Sequence, residues 1–151
     1  MKMFRHGMVL VCAMYIVLSL LSGCVHFHPI YYLDEPCIKP YHGYQYRTCA
    51  MIDFKIDGKH FYVPKNFKTD LASIPRVLWP IIPPQYSKFV APAILHDYLY
   101  RYDTNTSRKF ADEVFYSALI TEDVDAFTAM KFYFAVRIFG GSHFGKNNEE
   151  S

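Results

Sequence analysis

Between Asn66 and Pro84 the chain carries prolines at 75, 80, 83 and 84, with Pro64 just before them. Proline lacks the backbone donor that a helix or an inner strand needs, and it pushes the preceding residue away from helical geometry. The stretch is therefore expected to be an extended loop. Its apolar members, Leu71, Ile74, Val77, Leu78, Trp79, Ile81 and Ile82, require that the loop be packed against the body. It divides the chain into a half that reads as strand and a half that reads as helix.

On the first side, Asp57-Gly58 is the favoured two-residue hairpin turn. Counting outward pairs Ile56 with Lys59, Phe54 with Phe61 and Ile52 with Val63 on one face, and Lys55 with His60 and Asp53 with Tyr62 on the other. Residues 44–50 extend the first strand or form another. On the second side, three helices are expected. The first spans about 87–101, with Pro92 in its first turn or kinking it. The second, about 107–120, opens at Ser107 and places Phe110, Ala111, Val114, Phe115, Ala118 and Leu119 on one stripe. The third, about 123–139, stops at Gly140-Gly141 and is apolar almost all round, which predicts a central helix or one that touches a partner. The fold class is α+β: a small antiparallel hairpin sheet packed against about three helices, with the proline-rich loop between them.

A chain of 151 residues supports one domain, and 52% hydrophobic residues exclude disorder. Part of that apolar content is at the start. Lys2 and Arg5 precede an apolar run from Met8 to Leu21, which ends in Leu21-Ser22-Gly23-Cys24. A positive start, a core of this length and a small-residue exit read as a secretory signal. The run is short of the roughly 20 apolar residues that a transmembrane helix needs. Leu-Ser-Gly-Cys resembles the bacterial lipoprotein box, and the resemblance implies acylation of Cys24 and cleavage before it. Val25 after that cysteine implies, by resemblance to the sorting rule, the outer membrane rather than the inner one. The expected location is the bacterial cell envelope, lipid-anchored and facing the periplasm.

The organisation that follows is a signal at 1–23, a tether at 24–36 rich in His, Pro and Tyr, a single domain at 37–145, and a disordered tail at 146–151. Losing residues 1–23 removes two of the 16 basic residues and none of the 14 acidic ones, so the remaining chain is formally neutral. Nucleic acid is not an expected partner. The membrane is, through the N-terminal lipid, with an envelope protein or phospholipid beyond it. Export also leaves Cys37 and Cys49 as an even pair in an oxidising compartment, and a disulfide between them is expected. His26 and His28 are expected to be solvated on the tether, and His42, His60 and His143 show no ligand spacing.

Two patterns remain. Thr69-Asp70-Leu71-Ala72-Ser73-Ile74-Pro75 lies on the loop. Leu95-His96-Asp97-Tyr98-Leu99-Tyr100-Arg101 lies on the first helix, followed on the second by Ala111-Asp112-Glu113-Val114-Phe115. With Ala135-Val136-Arg137-Ile138-Phe139-Gly140, their order resembles the phage- and prophage-associated domain of unknown function 1353. That resemblance covers about Asp57 to Gly140 and implies a phage or prophage origin, without an established activity.

His96 and Tyr100 are four residues apart on one helical face, as are Asp97 and Arg101. A short connection makes the first two helices antiparallel neighbours, which can bring Asp112 beside His96. A carboxylate there orients an imidazole as a general base. The pattern is similar to secreted phospholipase A2 enzymes. That similarity implies His96 as base, Asp112 as its partner, Tyr100 as an orienting hydroxyl and Asp97 as a calcium ligand. Those enzymes complete the calcium shell from a glycine-rich loop, but residues 65–90 here contain no glycine. Only Asp97 and Asp70 remain as metal ligands, against the six to eight oxygens that calcium takes.

Three alternatives stand: a buried structural network, with Asp97 paired to Arg101 or Arg108; a calcium-assisted hydrolase; and a metal site without catalysis. A Ser73-His96-Asp112 triad would lack the strand-turn-helix setting that exposes such a serine. Two functions follow: a phage-derived, lipid-anchored envelope protein that is not an enzyme, or a phospholipase- or esterase-type hydrolase.

Overall fold

The computed structural model describes residues 25–43, 45–71, 87–102 and 105–145. The expected signal, Cys24, Ser73 with most of the proline-rich segment, and the expected tail lie outside the described residues.

Two small antiparallel sheets and three helices make up the α+β body. The strands are β1 (Ile30–Tyr32), β2 (Ile38–Pro40), β3 (Tyr46–Thr48), β4 (Ile52–Ile56), β5 (Lys59–Val63) and β6 (Lys68–Thr69). One sheet runs β1-β4-β5 and the other β2-β3-β6. The hairpin has the predicted register, from Ile52 opposite Val63 to Ile56 opposite Lys59. Its turn residues Asp57 and Gly58 both take positive φ, 49° and 80°, as this tight connection requires. Residues 46–48 form a strand of their own. Cys37 and Cys49 form a disulfide with 5.2 Å between Cα atoms, across the open end of the β2–β3 pair.

Two expectations need correction. The tether expected at 24–36 is, in its described part, built into the fold. β1 pairs with β4, Ile30 opposite Ile56, and His28 is buried. The expected extended loop also begins as structure, since Lys68–Thr69 pairs with β3.

The helices are α1 (Ser87–Arg101), α2 (Arg108–Thr121) and α3 (Ala126–Phe139). Ser107 and Asp125 cap the last two, accepting hydrogen bonds from the amides of Phe110 and Thr128, which satisfies donors that a helix start leaves open. Pro92 lies inside α1 and is buried there. Helix α2 packs against α1 on one side and α3 on the other.

The core falls into two parts. Ile30, Ile52, Phe54, Ile56 and Val63 of the first sheet meet Ile94, Leu95, Leu99, Val114 and Ala118. Phe115, Leu119, Phe132 and Val136 fill the seam between α2 and α3. Helix α3 is therefore not central, because it buries one face and leaves Phe127, Ile138 and Phe139 exposed.

Candidate functional site

Helical spacing does place His96 and Tyr100 on the same side of α1, against the start of α2. His96 Nε2 lies 3.0 Å from Asp112 Oδ1, and the Tyr100 hydroxyl donates to the same oxygen at 2.5 Å. The other oxygen, Oδ2, accepts from Arg137 Nη1 at 2.8 Å. Arg108 stands one turn before Asp112, with its Nε 3.8 Å from Oδ2 and donating to the Tyr100 hydroxyl at 3.3 Å. Its Nη2 also donates to the carbonyls of Val136 and Arg137 at the end of α3. One carboxylate thus ties three helices together.

Burial alone would raise the Asp112 carboxyl, since removing a charge from water is unfavourable. Hydrogen bonds from His96, Tyr100 and Arg137 override that effect and hold it below the usual carboxylate range. Tyr100 shifts upward, first through burial and then through its bond to Asp112, so its hydroxyl stays protonated as a donor. With Nε2 facing a carboxylate, that nitrogen carries the imidazole hydrogen. His96 is 3% exposed and Asp112 0%, so the pair has the contact of a catalytic dyad without access to solvent.

Two glycines make room for this arrangement. A Cβ on Gly140 would stand 2.8 Å from the Tyr100 hydroxyl, and one on Gly141 would stand 3.0 Å from Arg108 Nη1. Gly140 does follow the end of α3, but its φ of −74° is open to any residue. What it supplies there is space.

Asp97 follows His96 in sequence but faces the second sheet. Thr69 Oγ1 donates to its Oδ2 at 2.5 Å, and Arg101 Nη2 lies 3.4 Å from the same oxygen. Arg101 also reaches Asp70 at 3.5 Å. Burial, reinforced by the Asp70 charge, raises the Asp97 carboxyl above its usual range against the pull of Arg101, Thr69 and His96.

Asp70 and Asp97 are thus brought together, but around a guanidinium. Among the described residues no group of three or more His, Cys, Asp or Glu could hold a metal ion. Arg101 supplies the positive charge that calcium would bring and would repel such an ion. Among the described residues these donors do not complete a calcium shell.

Arg137 is the site residue that sequence reasoning missed, although a lone Arg137 in an apolar helix signals a buried partner, and Arg108, expected beside Asp97, stands beside Asp112 and Tyr100 instead. Thr69 was missed as well. His28, expected to be solvated, is buried with its Nδ1 2.6 Å from Asp57 Oδ2, because β1 carries it under the hairpin turn.

No curated protein and no solved structure matches the chain. One family model does, over residues 48–136, which takes in Thr69, His96, Asp97, Tyr100, Arg108 and Asp112. The match spans more than half of the chain, which therefore belongs to the family described as protein of unknown function (DUF1353).

Proposed function

We propose that this chain is a lipid-anchored envelope protein of phage or prophage origin that works by binding and not by catalysis. The observation that carries the proposal is the state of Asp112. Both its oxygens are occupied by donors from the two helices on either side, α1 and α3, and the His96 ring against it is closed to solvent. A general base must reach a substrate proton within about 3 Å, and a ring sealed in this way holds helices together instead.

Export is supported by Leu21-Ser22-Gly23-Cys24 and by the Cys37–Cys49 disulfide, a bond that persists in oxidising compartments. Anchored there, the domain would modify the host surface, for instance by blocking entry of further phage. The phage association rests on the ordered motifs around Asp70, His96, Asp112 and Arg137. A hydrolase acting on envelope phospholipid is the second reading, favoured by the 3.0 Å contact between His96 and Asp112.

The test combines fractionation with an assay. Cys24→Ala should abolish lipid labelling and membrane fractionation, and unchanged fractionation would overturn the anchor. Purified protein should release no fatty acid from phospholipid vesicles, with calcium or with chelator. Release that disappears in a folded His96→Gln variant would replace the binding reading with the hydrolase.

A further inference from the structure

The anchor reading acquires a geometric consequence once the tether is lost. His28 N donates to Ser117 Oγ at 2.9 Å and His26 N to Glu113 Oε1 at 3.1 Å. The chain is therefore held to the body from its first described residues. Cys24 precedes Phe27 by three residues, which span at most about 10 Å when fully extended. The headgroup layer on one side of a bilayer is itself about 5–8 Å thick. A domain attached so closely cannot stand away from the lipid and must rest on it.

One exposed surface that continues from that attachment, through Phe27 and Tyr31, is the outer face of the β1-β4-β5 sheet. Tyr31 lies beside Lys55, which lies beside His60. In the next row Leu33 donates its amide to Asp53, which lies beside Tyr62. Tyr31 is 59% exposed, Leu33 52% and Tyr62 49%, with Met51 and Phe27 exposed at the two ends. Asp53, the acid in the middle, is engaged by His60 Nδ1 at 2.9 Å, and His60 stacks on Tyr62. Tyrosines with apolar bodies and polar tips, flanked by lysine, suit the boundary between headgroups and hydrocarbon.

We propose that this face, carrying Phe27, Tyr31, Leu33, Met51 and Tyr62, lies flat on the lipid surface beside the acylated cysteine. The proposal rests on the lipid anchor proposed above. Binding at this face is through apolar and aromatic contact, since Lys55 and Asp53 are of opposite sign and leave it without a dominant charge. The α3 face with Phe127 then points elsewhere and provides the control.

Full-length protein purified with its lipid and reconstituted into phosphatidylcholine vesicles tests the orientation. Trp79 is the single native tryptophan, and its emission is a background common to every sample. Tyr62→Trp should add emission that lipids brominated near the headgroup quench, and Leu33→Trp is a second reporter on the same face. Phe127→Trp should add emission that the same lipids leave intact. Unquenched emission at both sheet positions, or equal quenching at Phe127, overturns the face. If mass spectrometry still finds acyl chains on Cys24 in that case, the anchor survives; if it finds none, anchor and face fall together.

Discussion

Asp97 and Asp112 are residues of one type, buried to a similar depth on neighbouring helices, yet their carboxyl groups shift in opposite directions. Asp112 collects donors from His96, Tyr100 and Arg137, with Arg108 close by, and is held ionised. Among the described residues Asp97 meets the Thr69 hydroxyl, a longer contact to Arg101 and the repulsion of Asp70, and burial prevails. Depth does not decide the charge of a buried carboxylate. The number and sign of the groups aimed at it do.

Removing the better-satisfied acid should have the largest effect. Asp112→Ala leaves Arg137 and Arg108 without their buried counter-charge. It should lower stability by about 2–4 kcal/mol, somewhat less than breaking a fully buried charged pair from one side, because both guanidiniums keep some contact with water. Urea unfolding measures this, and a loss below about 1 kcal/mol would mean that the network holds little of the fold together.

A smaller effect should come from the space that Gly140 leaves. Gly140→Ala drives a methyl against the Tyr100 hydroxyl and displaces it from Asp112, at a cost of about 1–3 kcal/mol. Tyr100→Phe removes that hydroxyl. In a Tyr100→Phe background the alanine should therefore cost clearly less than in the native chain. Equal costs in a double-mutant cycle would separate Gly140 from the network.

The smallest effect separates the two acids by pH. The lowered carboxyl of Asp112 contributes stability that is fully present above the ordinary aspartate range. That contribution is lost as pH falls through its folded value. Asp97 does the reverse: its raised carboxyl disfavours the fold while ionised, and the penalty lifts as pH falls through a folded value above the ordinary range. Asp97→Asn should change stability by less than about 1 kcal/mol at neutral pH, with Thr69 still able to donate. It should also abolish the small rise in stability on mild acidification. A loss as large as that of Asp112→Asn, measured by denaturation across pH, would erase the distinction between the two sites.

Much of the fold was legible in local pattern. Asp57-Gly58 and strict alternation on either side specified the hairpin register, because a one-residue slip would turn Phe54 and Phe61 outward. Ser107 and the apolar stripe of α2 were legible for the same kind of reason. The short strand β1 was not, since three residues establish no period and their partner in β4 is distant in sequence. That same gap disguised His28 as a solvated residue and 24–36 as a tether. In the site, the i, i+4 spacing of His96 and Tyr100 and the short turn to α2 brought Asp112 into reach. Nothing local announced that Arg137, from the far end of α3, would take the second oxygen.

The amino-acid sequence by itself determined the elements, their periodicity, the hairpin register and the chemical identity of the polar residues, because each depends on neighbours within a few positions. Only the tertiary structure decided what those residues do. It turned His96 and Asp97 toward different neighbours, put Arg101 against the two acids that were candidate metal ligands, closed the imidazole to solvent and drew the supposed tether into a sheet. Those outcomes depend on which distant groups arrive together and whether water is left between them, and local pattern carries no information about either.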